Sequence, residues 1–107
     1  KYWFDIVFHS MKKLDELIAN EKLFRRRNEA LIKVAEFNDT RATLEFFCEC
    51  SDVTCRQIIR LSADDYKKIH KNRRNFVLRP GHERSEIESV IETKKNFTIV
   101  EKLSELV

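Results

Sequence analysis

Hydrophobic side chains recur at helical spacing from Met11 to about Phe37, and no glycine or proline interrupts them. Leu17, Phe24 and Leu31 form one row with a seven-residue period, and Leu14, Glu21, Asn28 and Ala35 form a companion row. In a stretch rich in Lys, Leu, Glu, Ala and Arg, this pattern predicts an amphipathic helix of about six or seven turns. Ile18 and Ile32 widen the apolar stripe beyond a strict coiled-coil seam. The stripe can bury against its own domain, which is the leading reading. It can also bury against the same helix of a second copy, giving a homodimer in which Glu21 and Asn28 sit at core positions and set register. Asn38-Asp39-Thr40 supplies turn-forming residues where the helix should stop.

The period then changes from helical to alternating. Leu44, Phe46, Cys48 and Cys50 share one parity, and Thr43, Glu45, Phe47 and Glu49 share the other. That predicts a half-buried strand with the first set inward. After the polar turn Ser51-Asp52-Val53-Thr54, Cys55, Gln57, Ile59 and Leu61 repeat the alternation, so the two runs read as a hairpin. All three cysteines then fall on its apolar side, near the tip. Ser62 is placed to cap a short helix over Ala63–Lys71, which turns Tyr66 and Ile69 toward the core. Phe76-Val77-Leu78 reads as a third strand, followed by the turn Arg79-Pro80-Gly81-His82. Residues 85–92 fit a helix or a strand, because Ile87, Val90 and Ile91 have helical spacing. Phe97-Thr98-Ile99-Val100 is a strand, and it closes a hairpin if the preceding segment is one too.

These elements predict an α+β domain. A long N-terminal helix leads into a small, mostly antiparallel β-sheet with one short inserted helix and a cysteine-rich hairpin. The length of 107 residues suits a single domain, assigned here to residues 11–107. Tyr2, Trp3, Phe4 and Phe8 crowd the start, and the composition changes at Met11. Residues 1–10 therefore read either as a non-native or flexible extension upstream of the domain, or as an apolar strand packed on it.

Composition narrows the function classes. One glycine and one proline exclude collagen-like, proline-rich and glycine-linker chains. No apolar run approaches the roughly 18–20 residues of a membrane span, so no membrane partner is expected. No signal-peptide pattern is visible, and three clustered cysteines make a poor disulfide framework, so a reducing cytoplasm is the expected compartment. Lys and Arg number 21 against 18 acids, a net +3 that is only mildly basic. Charge is uneven, however. Arg25, Arg26 and Arg27 are consecutive, and residues 60–84 carry eight basic side chains against three acids. Arg25, Arg26, Arg27, Lys67, Lys68, Lys71, Arg73 and Arg74 are the candidate nucleic-acid contacts. Three consecutive arginines go round a helix rather than along one face, and no stacked-aromatic RNA signature accompanies them, so a solvated helix face is the leading reading there.

The cluster Cys48-x-Cys50-x4-Cys55, with His82 following after 26 intervening residues, carries the strongest chemistry. Three thiolates and an imidazole make a Cys3His set, the donor shell of a structural zinc ion. A hairpin tip can converge the sulfurs, and a tight turn can bring the imidazole. His70, Glu49 or Asp52 could replace His82 as fourth donor. Two other readings remain: buried inert thiols on a strand's inner face, and redox-active thiols with a pKa lowered by nearby arginine. Arg56, Arg79 and Arg84 lie close in sequence and would offset a zinc–thiolate charge of about −1. Catalytic templates fail. Gly81 is alone, so there is no phosphate loop; there is no G-x-S-x-G elbow, and His82-Glu83 lacks the second histidine of H-E-x-x-H.

From about Asn20 onward the chain resembles a family of small uncharacterised bacterial proteins, often actinobacterial. The residues that carry it are Asn28-Glu29, Phe47-Cys48-Glu49-Cys50-Ser51-Asp52, Cys55, Leu61-Ser62, Tyr66, Phe76 to Glu83 with its Pro80-Gly81-His82-Glu83, and Val100-Glu101-Lys102. The resemblance implies no activity. It implies that the cysteines and the Pro-Gly-His turn belong to one unit. The leading expectation is a non-enzymatic binding module stabilised by structural Zn2+. A nucleic-acid-associated regulator and a thiol-dependent redox protein are the alternatives.

Overall fold

The computed structural model describes the backbone of residues 2–52 and 54–103, and side chains from residue 16 onward within those ranges. Helix α1 spans Tyr2–Ala35. Its backbone is continuous from Tyr2, so residues 2–10 are helical rather than strand. The side chains of residues 1–15, and with them the reading of residues 1–10 as an extension, lie outside what is described. Glu21, Phe24, Arg25, Asn28, Ile32 and Ala35 are the buried face, while Leu17 and Leu31 are half-buried. The described members of the companion row, Glu21, Asn28 and Ala35, are all buried, and Phe24 of the first row joins them. The companion row's two polar members find partners inside the same chain, as described below.

Strands β1 (Thr43–Phe47) and β2 (Ile58–Ser62) pair antiparallel, with Phe46 opposite Ile59 and Leu44 opposite Leu61. The alternation holds: Phe46, Ile59 and Leu61 are buried, and Glu45, Ile58 and Arg60 face out. The strands end earlier than the parity suggests, leaving the cysteines on a loop over residues 48–57. One further bond, Cys48 N–H to Gln57 O at 3.1 Å, continues the ladder into that loop.

Helix α2 (Ala63–Ile69) starts directly from β2. Ser62 caps it, its hydroxyl accepting the Asp65 N–H at 3.0 Å. Ser62→Ala should cost about 1 kcal/mol, the usual value of a hydroxyl N-cap, read as a lower urea midpoint. An unchanged midpoint would show that the cap bond contributes nothing here.

Strands β3 (Asn75–Leu78), β4 (Glu88–Thr93) and β5 (Thr98–Lys102) form a second antiparallel sheet in the order β3-β5-β4. The expected single sheet is thus two. The ambiguous 85–92 segment is a strand, closed by a turn in which Lys94 N–H meets Phe97 O at 2.8 Å. A register shift between Val90 and Glu92 explains the ambiguity. A bulge breaks the two-residue period, so Val90 and Ile91 are both exposed and the spacing imitates a helix.

The core lies where α1, the β1–β2 hairpin, α2 and β3 meet. Ile32, Phe46, Ile59, Tyr66, Phe76, Val77 and Leu78 fill it, and Cys48 and Cys50 belong to it. Phe46 stacks on Tyr66 with ring centres 4.5 Å apart, and Tyr66 stacks on His70 at 3.8 Å. This packing sets the hairpin loop against the end of β3.

Candidate metal centre

The loop after β1 is shaped by its own polar residues. Asp52 Oδ1 accepts from Thr54 N–H at 2.9 Å and from Thr54 Oγ1 at 2.7 Å, and Cys55 N–H bonds Asp52 O at 3.0 Å. This Asx turn folds Cys55 back over Cys48 and Cys50. After β3 the chain makes a second tight turn, with His82 N–H on Arg79 O at 3.1 Å. Pro80 leads and Gly81 follows with φ of 87°, the requirement of a type II turn. The turn swings His82 toward the cysteine loop.

Both turns aim their donors at one point. The Sγ atoms of Cys48, Cys50 and Cys55 and a ring nitrogen of His82 all lie within 4.8 Å of one another. Nδ1 of His82 is 3.4 Å from Cys48 Sγ and 3.7 Å from Cys55 Sγ. A tetrahedral zinc ion with ordinary Zn–S and Zn–N bonds separates sulfur from nitrogen by about 3.6 Å. The donor set and its spacing fit such an ion. Of the alternatives to His82, His70 and Glu49 face each other elsewhere, and Asp52 is occupied by Thr54.

The sulfurs are not equivalent. The hydrogen bond from Cys48, assisted by Asp52, His82 and Cys55, holds the Cys50 thiol down at about 5 against burial that raises it. Giving that bond, together with burial, pushes Cys48 well up, although the Arg79 N–H on its sulfur at 3.2 Å works the other way. Burial also raises Cys55. The cluster therefore favours a single thiolate until a cation displaces the remaining protons. A polar cavity of about 360 Å³ opens beside Cys50, Asp52 and His82 and offers an entry route.

The nearby arginines frame the loop. Arg84 Nε donates to Ser51 Oγ at 3.0 Å, Arg56 Nη1 to Cys55 O at 3.1 Å, and Arg79 Nη1 to Asn96 O at 3.3 Å. Glu49, which parity places outward, is fully buried. Its Oε1 meets His70 Nε2 at 2.7 Å and Val77 N–H at 3.0 Å. Its Oε2 accepts from Tyr66 Oη and from Asn28 Nδ2, the latter at 2.9 Å. No local signal marks Glu49, because strand alternation sends the residue between two core-facing cysteines to the other face.

The candidate nucleic-acid residues are scattered among other duties. Arg25 is buried, its guanidinium 4.5 Å from the centre of the Phe76 ring, so it does not belong to a surface patch. Arg27 lies over Phe24 and Phe47, Lys67 pairs with Glu36 at 2.8 Å, and Arg73 with Glu29 at 3.7 Å. Arg74 donates twice to Lys102 O. Arg26, Lys68 and Lys71 are exposed. No helix among the described residues is long and apolar enough to cross a membrane. Comparison with protein-family models, with curated proteins and with solved structures returned no match.

Proposed function

We propose that this chain is a small non-enzymatic interaction module whose fold is held together by one structural zinc ion on Cys48, Cys50, Cys55 and His82. The convergence of three sulfurs and an imidazole nitrogen within 4.8 Å carries this reading. Zinc takes such soft donors at a tetrahedron's corners, and four protein ligands leave no open position for water or substrate. That favours a structural ion over a catalytic one. The ion would tie the β1–β2 hairpin to the turn after β3, and so one sheet to the other. His82 would coordinate through Nδ1 and carry its proton on Nε2. Bound zinc with three thiolates bears a charge of about −1, partly offset by the Arg79 N–H on Cys48. A reducing compartment would keep the thiols competent.

The test is the metal content of protein purified without added metal, with a thiol count before and after chelation. About one zinc per chain is expected, with thiols unreactive until the ion is removed. No metal, with Cys50 alkylating quickly in the folded state, would replace this reading with thiol chemistry centred on Cys50. No metal, with thiols protected until unfolding, would leave three buried cysteines.

A further inference from the structure

Glu49 lies between two of the proposed metal ligands, yet its side chain turns away from the sulfurs and is fully buried. We propose that Glu49 is the positioning residue of the metal centre: its carboxylate, held from three other elements, fixes the loop that presents Cys48 and Cys50. The inference rests on the zinc reading above for its consequence, and on the contacts of Glu49 for its mechanism.

The contacts come from every side of the core. Asn28 of α1 reaches Glu49 Oε2 at 2.9 Å while also clasping the Phe47 backbone, donating to Phe47 O at 2.8 Å and accepting Phe47 N–H at 2.7 Å. Tyr66 of α2 and His70 at its C-terminal cap hold one carboxylate oxygen each. Val77 of β3 is gripped twice: its N–H donates to Glu49 Oε1 at 3.0 Å, and its carbonyl accepts Glu49 N–H at 2.9 Å. The last pair stitches the cysteine loop to β3, one residue before Leu78 and two before Arg79, whose N–H caps Cys48 Sγ. The two halves of the metal site, the loop and the turn, are thus locked in register through Glu49.

Nδ1 of His70 lies 2.9 Å from the carbonyl oxygen of Tyr66, which sets the ring so that Nε2 faces Glu49 Oε1. Each carboxylate oxygen of Glu49 thus has two partners: His70 Nε2 and Val77 N–H at Oε1, Tyr66 Oη and Asn28 Nδ2 at Oε2. An arrangement with every lone pair engaged is rigid, and rigidity behind the ligands is what raises metal affinity.

The test compares cobalt and zinc binding by the full-length wild type, Glu49→Gln, Tyr66→Phe and Leu61→Ala. Co2+ reports through its thiolate charge-transfer and d–d bands, and zinc by competition with a chromophoric chelator. Glu49→Gln keeps the shape but turns an amide toward donors. It should weaken metal binding about 10- to 100-fold and change the intensity of the tetrahedral d–d bands. Tyr66→Phe removes one donor, keeps the stacked ring, and should give a smaller loss. Leu61→Ala destabilises the far end of the same hairpin and should leave both readouts at wild-type values. Equal affinity and equal spectra for folded Glu49→Gln would overturn the inference. So would a loss in Leu61→Ala as large as that in Glu49→Gln. If the wild type binds neither ion, the zinc reading falls, and the alkylation rate of Cys50 by iodoacetamide decides. A rise of about tenfold or more in Glu49→Gln supports the positioning role, in line with the same outer-contact magnitude. An unchanged rate overturns it.

Discussion

Chelating the metal from the loaded protein is expected to lower its thermal midpoint by about 15–30 °C. The magnitude follows from linkage. An ion present at about 1,000 times its dissociation constant stabilises the state that binds it by about 4 kcal/mol. For a domain of this size each kcal/mol moves the midpoint by about 4–8 °C. The total stability of such a domain is itself only about 5–15 kcal/mol, so the ion supplies a large share. The loss should be structural as well as energetic, because the four donors come from a loop of the first hairpin and a turn beyond β3. Without an ion, Cys48 and Cys50 remain wedged in the core, whereas Cys55 only packs against its edge and the turn at Gly81 is exposed. Cys55→Ser should therefore reproduce most of the loss while leaving the first hairpin paired. Circular dichroism with and without chelator measures both. A midpoint that moves by less than about 2 °C on chelation would end the structural-zinc reading, since linkage at any useful affinity demands more.

The Cys3His cluster was legible in the sequence because most of its information is local. Cys-x-Cys-x4-Cys places three sulfurs on one short loop, and Arg79-Pro80-Gly81-His82 is a turn in any context. The inward faces of the first hairpin follow from parity, which puts Leu44 and Phe46 on one strand and Ile59 and Leu61 on the other toward the same side, and the structure pairs Phe46 with Ile59 and Leu44 with Leu61. What escaped is polar and long-range. Parity sends Glu49 outward, and only the distant α1, α2 and β3 supply the partners that make its burial tolerable. Arg25 reads as part of a basic run, yet it pays for its desolvation with the Phe76 ring and a bond to Arg73 O. Asn28 occupies a heptad core position, which suggests register-setting between helices. Its amide instead completes the edge of β1 by exchanging bonds with Phe47. In each case a partner that decides the side chain's place lies 17 or more residues away, beyond the reach of any local pattern.

A second large effect is expected at the buried triad of Glu21, Lys102 and Glu88. Lys102 and Glu88 are cross-strand partners of β5 and β4, and Glu21 descends on them from α1. Glu88 also accepts the Arg84 N–H at 2.9 Å, and the Lys102 ammonium lies 4.8 Å from the Phe76 ring centre. Two carboxylates thus share one ammonium in a site closed to water. Burial, reinforced by the bond to Glu88, raises the Glu21 carboxyl to about 9, so it holds its proton at neutral pH and the triad is balanced. Lys102→Met should cost about 3–5 kcal/mol, because it strands a buried carboxylate without its cation. The pH dependence has a definite sign. In the unfolded chain Glu21 releases its proton near 4.5, but in the folded chain only near 9. Between those values the folded state binds more protons, so stability from this group is full below about pH 4.5 and falls as pH rises toward 9. The slope reaches about 1.4 kcal/mol per pH unit where the group is fully protonated in one state and ionised in the other. Glu21→Gln carries the neutral form permanently and should remove this slope. Urea unfolding of both proteins from pH 5 to 9 measures the difference. Parallel stability curves would mean that Glu21 ionises alike in the folded and unfolded chains, and that Lys102 holds two charged carboxylates at once.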